Sequence, residues 1–436
     1  MTALFNSNLS TVSRRWPDLA KKIVAQGNCT ELTVAPLNAQ CQTLLVNERQ
    51  LTSAYDRIKE ARVQCEAVPS TAKQAFVYGT ALGDIQHELL KRSQLETLHV
   101  CILNYAIFAT SLAHQTHAWL ADPRVTLHDW NSLTDVYMPF VASPPELELA
   151  QTEAVKLRDR LLLELDHDYV ISMHSQNNEK VMKAIAANRD IVAQDQGIET
   201  LAYPCANRIT LIIAAGPSLE EHYDTLTQLS QSRCHPILIA VDVTIPVLNK
   251  LNITPDFVVY IDADNKNHFQ TYDLSRFEHT TLVYFPRMAK ANLLRWPGRR
   301  CCAYSEAAIY DAIRDDYPRA SLFSGGSVIH PAVDLAVKLG ATNIGLLGAD
   351  FGFIKDKTHA MWQNNQLMAT GMHAAEASVL NGFGEPIPTH SNFRGYLREL
   401  ERYIEQHPDV SFFNTSRSGA HIDGAPVKNL MEAVDE

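Results

Sequence analysis

Two kinds of residue in this chain suit chemistry on an anionic ligand: small and hydroxyl residues at turns, and acids or histidines that close apolar runs. Gly216-Pro217-Ser218 follows RITLIIAA, and Ser324-Gly325-Gly326-Ser327 precedes VIHPAVDLAVKLG. Glycine lets a backbone approach a ligand closely. A hydroxyl at a helix start stands beside amides that lack an intrahelical partner, which suits a phosphate or a ribose. The same residues also make ordinary capped turns. Asp242, Asp262, Asp264 and Asp350 close the runs ILIAVD, FVVYIDAD and NIGLLGAD. Asp262-Ala263-Asp264 has a DxD spacing that holds a divalent metal, Mg or Mn, in some enzymes, and it is equally a common turn after a strand. Of seventeen histidines, His359 in KTHAMW, His373, and His390 in PTHSNF lie in the C-terminal part. An imidazole that titrates near neutrality can take the proton of a poor nucleophile such as a hydroxyl.

These residues need elements to bring them together, and the apolar runs have the lengths of buried parallel strands followed by helices. In open α/β sheets ligands sit outside the carboxyl ends of the strands, so Gly216, Ser218, Asp242, Asp262, Ser324 and Asp350 are expected to converge on one crevice. An earlier α/β unit reads AFVYG (75–79), LETLHVCILN (95–104) and PRVTLHDW (123–130). Its turn, Gly79-Thr-Ala-Leu-Gly83, has the look of a dinucleotide fingerprint. The second strand, however, ends in Leu103-Asn104 and not in the acid that would hold a ribose. A non-catalytic or partner-binding Rossmann-like domain is the expectation there. The division expected is a helical region 1–68, a small Rossmann-like domain 69–143, a helical connector 144–200, a central α/β domain 201–352 and a helical, loop-rich cap 353–436.

With 436 residues, 46% hydrophobic and 20% charged, the chain reads as globular with more than one core. A net charge of −11 without basic runs speaks against a nucleic-acid partner. No apolar segment is of signal-peptide or membrane-spanning length, and eight scattered cysteines show no ligand spacing, so reduced thiols in the cytoplasm are expected.

The runs IIAAGPSLEE, AVDVTIPVLNKLNITPDFVVYID, GGSVIHPAVDLAVKLGATNIGLLGADFGF, KTHA and FNTSRSGAHIDGAP, in this order, resemble the motility accessory factor glycosyltransferases. That domain family is shared with an archaeal pterin pyrophosphokinase, and the resemblance covers roughly residues 40–425. The core is also similar to the bacterial sialyltransferases that use CMP-sialic acid. The resemblance implies a soluble α/β enzyme with a sialyltransferase-like, GT-A/Rossmann-variant core. It would transfer a nonulosonic acid, pseudaminic or legionaminic acid, from a CMP donor to flagellin, with no required cofactor. It assigns Gly216 and Ser218 to the nucleotide site, Ser324 and Gly325 to donor contact and the base to His390. Asp242 and Asp262 stand where the sialyltransferases have asparagines, and with Pro217, Gly326 and Asp350 they complete the expected donor-binding set. Gly352 and Phe353 stand where the sialyltransferases have phosphate-binding tyrosines, which leaves His359 to donate to the departing phosphate. The alternatives are a pyrophosphokinase using ATP and Mg, with Asp242, Asp262 and Asp264 as its acids, a non-catalytic flagellin chaperone, and a transferase acting on surface polysaccharide.

Overall fold

The apolar runs become strands because residues buried on both faces of a parallel sheet are nearly all hydrophobic. In a computed structural model they form two units, Met1–Asp166 and His167–Glu436. The structure describes all residues except 1, 27–31, 134, 175–178, 202–207, 233–234, 263–267, 356, 358, 361–376 and 436. Asp264 and His373 lie outside the described residues.

Unit 1 carries a small antiparallel sheet of β1 (Val34–Asn38), β2 (Gln42–Val46) and β3 (Arg49–Gln50). The 1–68 segment is therefore not helical throughout. LLVNERQ is a hairpin whose turn residues Asn47 and Glu48 both have positive φ, 48° and 65°, the arrangement whose twist matches paired strands. Helix Arg57–Gln64 starts only after Asp56, whose side chain accepts the Lys59 amide at 2.9 Å. The main sheet of this unit is parallel, in the order β6-β5-β4-β7: Val125–Asp129, Thr97–Ile102, Gln74–Tyr78 and Phe140–Ala142. Asn104, which ends the second strand run, caps helix Tyr105–His114 by accepting the amides of Ala106 and Ile107 at 3.0 and 3.1 Å.

Unit 2 is built on eight parallel strands in the order β17-β14-β9-β10-β11-β12-β13-β8. In chain order these are β8 (Gln196–Gly197), β9 (Thr210–Ile213), β10 (Ile237–Val241), β11 (Phe257–Tyr260), β12 (Thr281–Tyr284), β13 (Arg300–Cys302), β14 (Asn343–Leu347) and β17 (Ser411–Asn414). Between the last two lie a β15–β16 hairpin (Ala377–Leu380, Pro386–Thr389) and helix Ser391–Glu405. The 144–200 segment contains helices and also β8, an edge strand of the large sheet. The 353–436 segment is likewise more than a cap, because β17 pairs with β14 and extends the sheet. β8 has only two residues, which is why it does not stand out in the hydrophobic pattern.

Cysteines 41, 65, 101, 301 and 302 are free thiols. Cys301 and Cys302 are consecutive in β13, so their side chains point to opposite faces of the sheet. No helix among the described residues is long and apolar enough to cross a membrane.

Candidate functional site

In unit 2 the chain leaves β9 toward β10 to β13 on one side and returns with β14 on the other. Strand order therefore reverses between β9 and β14, which is where such sheets bind ligands. The turn after β9 and the turn after β14 meet there. The Ser218 amide donates to Asp350 Oδ2 at 2.8 Å, and its hydroxyl donates to Oδ1 at 2.5 Å. The Gly216 amide donates to the Gly348 carbonyl at 2.8 Å. A methyl group at Gly216 would overlap both that carbonyl and the Asp350 carboxylate, and one at Gly419 would overlap Asp350 from another side. Burial pushes the Asp350 carboxyl up to about 6, against the Ser218 hydroxyl and amide, which favour its ionised form.

The first role of the Gly-Pro-Ser turn is thus internal. Sequence reasoning offered its Ser218 amide to a phosphate; the structure gives that amide to Asp350. Phe351 follows with φ 46°, a left-handed conformation costly for a bulky residue, held by Thr389 Oγ1 donating to its carbonyl at 2.6 Å. Gly352 packs where a side chain would meet Ile387, which accounts for glycine at this departure from the sialyltransferase pattern.

The KTHA segment is stitched to the same turn, because the Ala360 amide donates to the Ala215 carbonyl at 2.7 Å. That bond places the neighbouring His359 at the crevice. Burial lowers the His359 pKa, and the charge of Asp242, at the end of β10, reaches it and acts in the opposite direction. Asp242 is 5% exposed, whereas Asp262, at the end of β11, is exposed. Both charges act on Tyr260, whose hydroxyl is raised mainly by burial and accepts from Asn292 Nδ2 at 3.2 Å.

The second glycine turn has a packing role. Helix Ile329–Lys338, which it precedes, runs back from the carboxyl edge into β14. A methyl group at Gly326 would meet Tyr396, and one at Gly325 would meet Glu399 and His330. His330 is buried and lowered to about 4, so it is neutral. Its Nδ1 accepts the Ser327 amide at 3.3 Å, and its Nε2 lies 3.0 Å from the Tyr396 carbonyl. Ser324 is half-buried beside this turn. His390 stands at the N-cap of helix Ser391–Glu405, edge-on to Phe353 at 4.9 Å and 6.1 Å from Phe393.

The structure therefore joins Gly216, Pro217, Ser218 and Asp350 directly, sets His359 and Asp242 beside them, and packs Gly325 and Gly326 against the helix that His390 caps. Sequence reasoning missed the 415–420 loop, whose Ala420 amide donates to the Asp350 carbonyl at 2.8 Å. The SRSGAH run was its available signal.

Unit 1 has a matching crevice between β4 and β7. There the Ala81 amide donates to Glu146 Oε2 at 2.7 Å and the Thr80 hydroxyl to Oε1 at 3.2 Å. Glu146 is fully buried and pushed up to about 7, by burial first, against those two bonds. The turn that resembled a dinucleotide fingerprint is filled by a carboxylate of its own unit.

Residues 183–356 match the family model described as 6-hydroxymethylpterin diphosphokinase MptE-like. No curated protein matches the chain. Among solved structures, a MAf glycosyltransferase from Magnetospirillum magneticum AMB-1 is similar over 98% of this chain and 74% of its own, at 14% identity and a TM-score of 0.46. Two spermidine synthase structures, one from Thermotoga maritima and one with the transition-state analogue AdoDATO, are similar over 26% of this chain and 45% of theirs, at 13% identity and a TM-score of 0.22.

Proposed function

We propose that this chain is a glycosyltransferase that moves a nonulosonic acid, pseudaminic or legionaminic acid, from its CMP-activated form to Ser or Thr hydroxyls of flagellin. The step would take place in the cytoplasm and serve flagellum assembly. The observation that carries the reading is His359 beside the Gly-Pro-Ser turn, within reach of the Asp242 charge. Burial keeps the imidazole neutral at pH 7, so it has a lone pair for an acceptor proton, and Asp242 stabilises the imidazolium that forms. The acceptor oxygen attacks the anomeric carbon in line as the bond to the CMP phosphate oxygen breaks. The proton passes to His359, and CMP leaves with the electron pair. His390, which the resemblance named as base, packs against two phenylalanine rings and is assigned a positioning role. The ordered sequence motifs support the reading, and most of them fall inside the matched segment 183–356.

A second reading, a diphosphokinase, is favoured by the description of the matching family and by Asp242 and Asp262 at the ends of adjacent strands. In that reading Asp242 and Asp262 would be the residues that hold a Mg²⁺, which would neutralise charge on the phosphates of ATP.

Thermal unfolding of the full chain with CMP, CMP-sialic acid, ATP with Mg²⁺, or no ligand separates the readings, because a ligand that binds only the native state raises the melting temperature. A rise with the CMP compounds alone is the expected result. A rise with ATP and Mg²⁺ alone would replace the transferase by the kinase, and no rise with any of them would leave a flagellin chaperone.

A further inference from the structure

The 415–420 loop has a second face. Thr415 and Arg417 line a cavity of about 520 Å³ with Val427, Lys428, Asn429 and Glu432, at the carboxyl end of β17. Two cations face one acid there, in a chain whose net charge is −11. A concavity lined by two cations and one acid favours anions over cations. Among the described residues the Arg417 guanidinium makes no ion pair or hydrogen bond.

The frame around the cavity is ordered. The Arg417 carbonyl accepts the Gly382 amide at 2.8 Å, and the Thr415 hydroxyl donates to the Leu346 carbonyl at 3.0 Å. Ser416 Oγ accepts the amides of Ser418 and Gly419 at 3.2 and 3.4 Å. The Lys428 amide donates to the Asn414 carbonyl at 2.9 Å, and its ammonium lies 5.9 Å from the centre of the Phe413 ring. The same loop then runs to Asp350, so the cavity and the Gly-Pro-Ser crevice share one wall. β17 is two strands from β9, which sets the two places roughly 10 Å apart along the sheet edge. A ligand with two separated charged groups spans that distance.

We propose that this cavity is an anion subsite in which Arg417 and Lys428 take a compact oxyanion, the carboxylate of an acidic sugar or a phosphate. Only the choice of a sugar carboxylate rests on the transferase reading; the subsite itself does not.

The test is calorimetric titration of the full chain with CMP, CMP-sialic acid and inorganic phosphate, for the wild type, Arg417→Gln, Lys428→Gln and the double variant. Each single variant is expected to weaken CMP-sialic acid about tenfold, roughly the worth of one charge-assisted contact, and to leave CMP unchanged. Arg417→Lys should restore part of the loss. If phosphate binds the wild type and weakens in the variants while CMP-sialic acid does not bind at all, the subsite stands and the transferase reading falls. If CMP-sialic acid binds and the double variant, melting as the wild type does, holds both it and phosphate equally well, the subsite falls and the transferase reading stands. Absence of any anion binding to the wild type at millimolar concentration also overturns the subsite.

Discussion

In unit 1 the turn after β4 delivers the Ala81 amide and the Thr80 hydroxyl to Glu146; in unit 2 the turn after β9 delivers the Ser218 amide and hydroxyl to Asp350. Both carboxylates follow the strand that flanks the first one, both are buried with raised pKa, and both are overlapped by a methyl group added at the facing glycine, Gly79 or Gly216. The surroundings differ. Around the first turn stand Gln86, whose amide donates to the Gly79 carbonyl at 3.1 Å, and His117, lowered to about 4 and bonded to Trp119 and Ser111. Around the second stand Asp242 and His359. A glycine turn at a reversal of strand order is therefore a way of joining two loops, and chemistry depends on what the neighbouring strand ends supply.

That contrast can be broken experimentally. The largest effect expected is on the proposed transfer to flagellin: His359→Ala should lower turnover by about 10²- to 10⁴-fold, whereas Glu146→Gln should leave it within about twofold. The mass of the glycosylated acceptor reads both, and equal losses would erase the division between the units. Gly79→Ala and Gly216→Ala should each destabilise their own unit. The first should exceed about 3 kcal/mol, because an L residue at φ 99° is strained as well as crowded. Hydrogen exchange in β4 and β9 would localise each loss.

The pH dependence sharpens the likeness. A carboxyl whose folded pKa is raised holds a proton that the unfolded chain has given up, so its contribution is fullest at low pH. For Glu146 stability should fall as pH rises from 4.5 to about 7, by up to about 3 kcal/mol; for Asp350 the window runs from 3.8 to about 6. Glu146→Gln and Asp350→Asn should each flatten its own window in urea melts at several pH values. The smallest effects are those of the hydroxyls. Ser218→Ala, which removes a 2.5 Å bond, should cost about 2 kcal/mol, and Thr80→Ala, which removes one of 3.2 Å, about 1 kcal/mol by chemical denaturation.

The α/β class and seven of the strands were legible in the sequence because their apolar runs leave few other structures available. β7, β12, β13 and β17 were passed over; FVA and RCC are too short for a periodicity to form, and SFFN lies in a stretch read as a cap. The convergence of Gly216, Ser218 and Asp350 on one edge was predictable, since strand ends in a parallel sheet share an edge. What Ser218 bonds to was not, because a helix-start hydroxyl looks the same whether its amide faces a ligand or a carboxylate 132 residues away. Glu146 escaped notice for the same reason: PPELE reads as a helix start, and burial of its third residue is decided by a turn sixty-five residues earlier.

The order of strands in the large sheet also bears on how the chain assembles. Asp195, next to β8, pairs with Arg300 in β13, 105 residues on, so that edge has no partner until four intervening strands have formed. The β4–β7 sheet closes within a much shorter span. Such distant pairings are slow to form and expose unpaired strand edges meanwhile. On the ribosome, unit 1 is therefore expected to be folded while β8 still waits, and unit 2 is the half that needs protection from aggregation.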